Sequence, residues 1–342
     1  MTADPVAARP AAGPGVSQDR AHGALLGLAV GDALGMPTQS MSRGAVADRY
    51  GRLTGFVAAA ADQPIAPGMA AGSVTDDTEQ AVLVAQLLLD GGGHIDPDAF
   101  AAALIGWERP MVQRGSRDLL GPSTKAALTA LQAGVSAADT GRAGTTNGAA
   151  MRVGPVGIAF ACGDRLLAGV VEASTVTHNT GLGISAAAAV AFGVSAGIDG
   201  ADVPEALDAA VEGARAGEQC GHWVAGASIP QRFLALRPRA RALTEAQFAD
   251  FLYEVVGTSV QSQESVVSAL LVVDRYSDAP FEGLCVAASL GGDTDTVAAI
   301  AGVLLGACSG VEAFPAAERA QLEAVNHLGL DRLAHRLTAL RG

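Results

Sequence analysis

Lysine is almost missing from this chain of 342 residues: Lys125 is the only one. Aromatic residues are also scarce, at 4%, and charged residues make up 17%. Acidic residues number 35 against 22 Lys and Arg, for a formal net charge of −13. The basic stripe of a phosphate-backbone binder is therefore lacking, and nucleic acid is not an expected partner. The four cysteines, Cys162, Cys220, Cys285 and Cys308, form no CxxC pair. That argues against a secreted disulfide framework or a zinc ribbon and fits a reducing, cytoplasmic setting. The first twenty residues do not show the basic start and apolar core of a signal peptide.

What the chain has in quantity is small apolar residues. Hydrophobic residues make up 49%, and there are 43 glycines. Such a chain is not expected to be disordered, and its length suffices to bury a sizeable core. Residues 1–19 are rich in Pro, Ala and Gly and read as a mobile tail, with one domain over residues 20–342. Helical patterns then recur, and strand-like alternation is rare. Apolar stretches over residues 21–34 and 79–90 read as helices, the second stopped by Gly91, Gly92 and Gly93. Helix starts stand at Asp96-Pro97, near Asp202 and at Thr244. Further helices are expected over 123–132, 184–194, 264–273, 295–305 and 316–324. Residues 62–72, 133–148 and 220–230 read as loops. The uncharged runs 180–198 and 296–311 are poor in Leu, Ile and Phe, and the second is shorter than the roughly 20 residues that span a bilayer. Both read as buried helices, with no membrane partner. No repeat of solenoid length is evident. The fold class expected is all-α, a single compact helical domain.

Two acidic clusters stand at predicted helix starts. Ser73-Val74-Thr75-Asp76-Asp77-Thr78 precedes one apolar helix, and Gly291-Gly292-Asp293-Thr294-Asp295-Thr296 precedes another. Helix capping accounts for one such side chain per site. Each cluster offers two carboxylates and several hydroxyls, and both helices are apolar enough to start near the core. Four carboxylates gathered there would repel unless a cation neutralised them. Hard oxygen ligands without Cys or paired His favour Mg²⁺ or Mn²⁺ over zinc, and two such ions can share a carboxylate. A third element is GALLGLAVGDALGMP, residues 23–37, with glycine at 23, 27, 31 and 35 along one helix face. Asp32 beside that face reads as a packed structural acid. A fourth, Thr145-Thr146-Asn147-Gly148-Ala149-Ala150-Met151-Arg152, reads as a polar loop entering a helix and offering Asn147 to a ligand.

With THNTGLGISAAAAVA, residues 177–191, these motifs in this order resemble the ADP-ribosylglycohydrolase family. The resemblance covers about residues 21–307 and is carried most specifically by TDDT paired with GGDTDT. It implies an all-α orthogonal helical bundle with a dinuclear Mg²⁺ or Mn²⁺ centre. Carried over by motif, it implies Thr75, Asp76, Asp77 and Asp295 as ligands of one ion. Asp293, Asp295 and Thr296 would hold the other, with Asp295 bridging. It further implies Asn147, Gly148 and His178 in the substrate pocket. The reaction implied is hydrolysis of the N-glycosidic bond of an ADP-ribosyl group, carried by a protein or a small molecule.

One departure from the pattern matters. Many members carry a glutamate shortly after GDALG, where this chain has Gln39. An amide can ligate through its oxygen but cannot act as a general base. Base duty would then pass to water activated by the ions or to Asp118, in RDLLGPSTKAAL. Asp118 reads equally well as a helix cap. Two alternatives follow from Gln39: a hydrolase of a nucleoside or other small ribosyl compound, or a catalytically silent ADP-ribose binder.

Overall fold

The computed structural model describes residues 14–113 and 120–341. Among them are seventeen α-helices and short 3-10 and π turns, and the only β pairing is three isolated bridges. The all-α expectation holds. The first helix, Pro14–Gly35, starts ahead of the domain boundary placed at residue 20.

Local sequence explains where the helices begin. Asp202 and Glu205 form a reciprocal capping box at the start of Val203–Gly217, and Thr244 and Gln247 form another at Glu245–Phe251. The predicted helices over 79–90, 184–194 and 295–305 appear as Asp76–Asp90, Gly181–Ile198 and Thr294–Ser309. The last two are buried on nearly every face, as helices that are apolar all round must be. Gly181–Ile198 is long and apolar enough to cross a membrane, and 83% of it is buried inside the protein. Several helices lacked a clear sequence signal, notably Asp164–His178, Ile229–Arg241, Pro280–Ala288 and Leu330–Thr338.

The centre of the fold is the antiparallel pairing of Pro14–Gly35 with Thr294–Ser309. A Cβ on Gly23 would meet the carbonyl of Gly306, and one on Gly27 the carbonyl of Gly302. A Cβ on Gly31 would strike Ala298, and one on Gly35 the backbone of Asp295. Gly302 and Gly306 face Gly27 and Gly23 in return. The two backbones thus approach as closely as glycine alone permits, in a register that brings the end of the first helix to the start of the second. Leu28, Val30 and Leu34 pack into the surrounding core.

This seam predicts opposite outcomes for two substitutions of the same type. Gly31→Ala forces the helices apart, and a loss of about 1–3 kcal/mol is expected, as for other overpacked cores. Gly106 is an exposed helix position with nothing near its would-be Cβ; Gly106→Ala is expected to stabilise by about 0.5–1 kcal/mol. Chemical denaturation measures both, and a neutral Gly31→Ala would show that the seam is loose.

Candidate active site

The register of the seam assembles the acidic site. Asp32, in the last turns of the first helix, is completely buried, and its carboxylate caps the start of Asp76–Asp90 from outside that helix. It accepts from the Thr75 amide at 3.0 and 2.9 Å and from Thr75 Oγ1 at 2.6 Å. The Thr78 amide and Oγ1 donate to it at 3.1 and 2.5 Å. Asp32 is therefore the structural acid expected from the sequence, and it relieves the capping duty. Thr75 makes no side-chain cap of its own, and Asp76 and Asp77 are left to face elsewhere.

The other acidic motif arrives from the opposite end of the chain. Thr38 Oγ1 donates to the Ala288 carbonyl at 2.7 Å and lies 2.9 Å from Thr294 Oγ1. Residues 40–41 exchange backbone bonds with Gly292, and the Asp293 amide donates to Thr258 at 2.7 Å. Gly291 and Gly292 both adopt positive φ, +84°, in this turn, and a Cβ on either would strike the neighbouring backbone. Only glycine meets both demands.

Carboxylate oxygens of Asp76, Asp77 and Asp295 lie within 4.8 Å of one another. Thr296 Oγ1 is 3.3 Å from Asp77 Oδ2. Asp77 Oδ1 and Asp295 Oδ1 are buried with no hydrogen-bond partner. Burial pushes the pKa of all three acids well above the ordinary carboxylate value, and their mutual repulsion and that of Asp293 and Asp32 push it further. Asp293 stands beside this trio. Its carboxyl is raised by burial, while hydrogen bonds from Asn147 and Thr296 hold it down. Asn147 Nδ2 donates to Asp293 Oδ2 and, at 2.9 Å, to Ser265 Oγ.

Asp76, Asp293 and Asp295 line a cavity of about 330 Å³, whose wall also includes Gln39, Asn147 and Thr296. The unpartnered buried carboxylate oxygens of Asp77 and Asp295, and a described lining without Cys or His, fit a hard cation.

A family model described as ADP-ribosylglycohydrolase matches residues 14–342. The chain belongs to the ADP-ribosylglycohydrolase family. It is 34% identical over 326 residues to the uncharacterized protein YegU of Escherichia coli, covering 94% of this chain and 97% of that one. It is 28% identical over 346 residues to the ADP-ribosyl-[dinitrogen reductase] glycohydrolase of Rhodospirillum rubrum, covering 96% and 99%. A solved structure described as an ADP-ribosylglycohydrolase-related protein complex superposes with a TM-score of 0.69 at 26% identity, covering 96% of this chain and 100% of that chain. Family membership makes the chain a glycohydrolase.

Within this ADP-ribosylglycohydrolase fold the sequence-expected residues separate into groups. Asp76, Asp77, Asp295 and Thr296 come together from two distant motifs, and Asp293, Asn147 and Gly148 line the cavity with Asp76 and Asp295, while the Thr75 hydroxyl is turned to Asp32. Gln39 lines it too. The residue is buried, and its Nε2 has no partner among the described residues. Asp118 lies outside the described residues. His178 is placed differently from the expectation of a pocket residue. It is completely buried and absent from the cavity wall. Its Nδ1 is 2.7 Å from Thr177 Oγ1 and its Nε2 3.0 Å from Thr146 Oγ1, so neither nitrogen is left for a ligand. Burial and the Arg152 charge hold its pKa well below the ordinary histidine value, and it stays neutral. Its ring packs where a Cβ on Gly148 would sit.

Sequence reasoning missed Gln80, Arg152 and Lys125. Lys125 lines the cavity. Arg152 is wholly buried, and burial pulls its pKa down to about 9, with Asp76 pulling it up, so it remains a cation at neutral pH. The signal available was a lone charge in the otherwise uncharged run from Gly148 to Gly163, which a core cannot accept without partners.

The raised acids fix the sign of a pH effect. Asp76, Asp77 and Asp295 hold protons to higher pH in the folded chain than in the unfolded one. Their contribution to metal-free stability therefore falls as pH rises from the ordinary carboxylate range through their raised values. Chelator-treated protein is expected to melt at a lower temperature near about pH 8 than near about pH 6. Equal melting at both would show that these carboxylates titrate as solvated groups.

Proposed function

We propose that the chain hydrolyses the N-glycosidic bond of an ADP-ribosyl group at a pair of Mg²⁺ ions, with Mn²⁺ as a substitute. The observation that carries the reading is the pair of buried, unpartnered oxygens on Asp77 and Asp295, the second of which lines the cavity. Charge supports cation binding. Among the described residues, Asp32, Asp76, Asp77, Asp293 and Asp295 outnumber the one fully buried cation, Arg152, and Lys125 in the cavity wall. The excess negative charge favours divalent ions.

In this reading Thr75, Asp76, Asp77 and Asp295 hold one ion, and Asp293, Asp295 and Thr296 the other, with Asp295 shared. The ions would orient the ribose hydroxyls and lower the pKa of an attacking water. Asn147 fixes the Asp293 carboxylate by donating to it, and Gly148, whose missing side chain makes room for the His178 ring, lines the cavity beside it. Cleavage at the anomeric carbon builds oxocarbenium character, which surrounding carboxylates stabilise. Gln39 contributes as a hydrogen-bonding amide: its free Nε2 has a donor to offer a substrate oxygen, but it takes up no proton at neutral pH. The Rhodospirillum rubrum relative's name specifies an ADP-ribosyl group on a protein, which supports a protein-borne substrate. The cavity volume, at the low end of small-ligand sites, favours the second reading, a small ribosyl compound such as a nucleoside.

The deciding assay incubates Mg²⁺-loaded protein with ADP-ribosyl-arginine and a nucleoside panel, with and without EDTA. EDTA-sensitive release of ADP-ribose is expected; ribose released from a nucleoside alone would establish the second reading. Binding of ADP-ribose without turnover of either would overturn both. Asp293→Asn is expected to lower Mg²⁺-dependent turnover by at least about 100-fold while the far-UV circular dichroism stays helical. Unchanged turnover in that variant would remove Asp293 from the site.

A further inference from the structure

We propose that Arg152 is a positioning residue for the acidic site, holding Asp76 through Gln80 and the Thr146–Asn147 turn through Thr177 and His178. The inference rests on the reading of these acids as metal ligands. Arg152 closes the short helix Gly148–Arg152, and its guanidinium lies over the Phe100 ring at 4.8 Å. Nη1 donates to Gln80 Oε1 at 2.7 Å, and Nη2 donates to Thr177 Oγ1 at 2.5 Å. Because Arg152 occupies the Gln80 oxygen, the Gln80 amide group is turned toward Asp76, and its Nε2 donates to Asp76 Oδ2 at 3.3 Å.

The other arm runs through His178 to Thr146, the neighbour of Asn147. The same turn is fastened from behind, where Asn147 N donates to the Val260 carbonyl and Ser262 Oγ to the Thr146 carbonyl. A single line of hydrogen bonds therefore runs from a carboxylate of the first acidic motif to the residue beside the one that donates to Asp293 in the second.

A plain counter-ion would behave differently. A buried arginine left to neutralise charge pairs directly and bidentately with a carboxylate. Here no carboxylate among the described residues is hydrogen-bonded to Arg152, and the neutral Gln80 stands between it and Asp76. That arrangement fixes Asp76 through one oxygen without saturating it, leaving capacity for a cation. It also requires a planar fork that reaches two separate acceptors at once, which an ammonium group does not supply in the same geometry.

The test uses the full chain and Mn²⁺ alone as the probe. Gln80→Leu cuts one arm and keeps the charge; Arg152→Lys keeps the charge and loses the fork. Each is expected to weaken Mn²⁺ binding, read by isothermal titration, by about 10–100-fold, the range typical of residues that orient metal ligands. Crystals of each variant without metal are expected to show the Asp76 carboxylate turned away, with the Asp76–Asp90 backbone in place; in Arg152→Lys the Asn147 side chain moves as well. Wild-type Mn²⁺ affinity in Arg152→Lys would overturn the proposal in favour of charge balance alone. If the wild-type chain itself binds no Mn²⁺, the metal reading falls, and the metal-free crystals decide the positioning claim. Asp76 and Asn147 in their wild-type places in both variants would overturn it.

Discussion

The glycine seam between Pro14–Gly35 and Thr294–Ser309 is the constraint from which the rest of the structure follows. A contact with no side chains between the backbones tolerates little slippage, because each four-residue step brings the next glycine opposite the next carbonyl. Its register decides that Gly35 meets Asp295 and that Thr38 reaches Thr294. The same helix places Asp32 at the free amides of Asp76–Asp90. One helix therefore sets the positions of both acidic motifs, although Asp76 and Asp293 are far apart in the chain. The abundance of Ala and Gly fits this design, because small residues allow the helices to close up.

Gathering five aspartates in a helical core works against stability, and the neighbours divide the load unequally. Asp32 receives four kinds of donor from Thr75 and Thr78, which offset its burial. Asp293 receives Asn147 and Thr296. Asp76, Asp77 and Asp295 receive the least, and they are the acids whose pKa burial and repulsion push up furthest. The protein thus gives most donors to Asp32, which holds the scaffold, and leaves the trio Asp76, Asp77 and Asp295 least satisfied. Unsatisfied buried polar groups cost free energy unless something binds them, so this inequality is itself a pointer to function.

Much of this was legible in the sequence, for identifiable reasons. The helices over 76–90, 181–198 and 294–309 carry long apolar runs with Gly or Asp punctuation, and both acidic motifs sit at such boundaries. Ile229–Arg241, one of the helices that escaped notice, has four arginines and an internal Pro238 that blur a 3.6-residue pattern, although Ser228 caps it as a sequence reader would hope. The ligand-type residues were legible because hydroxyls and carboxylates were in excess of what capping requires. The roles of His178, Gln80 and Arg152 were not. His178 sits within a motif of the family, but whether an imidazole faces a ligand or the core depends on which neighbours reach its two nitrogens. Here Thr146 and Thr177 do. Gln80 falls at helical spacing among apolar residues and acquires its meaning only when Arg152, 72 positions away, turns its amide.

Gln39 takes its place in the same charge argument. The backbone bonds of residues 40–41 to Gly292 and the Gln63 amide on the Gln39 carbonyl hold it at the cavity wall, so its location is set by the seam and does not depend on its side chain. A glutamate there would add a sixth acid to a cluster in which Arg152 is the one fully buried arginine among the described residues. A further carboxylate there would have to be met by a bound cation, a basic group or a proton. The neutral amide adds no charge to that cluster and still presents hydrogen-bonding capacity to the cavity. The departure at position 39 thus leaves the cluster of Asp76, Asp77, Asp293 and Asp295 intact and is confined to one neutral side chain of the cavity wall.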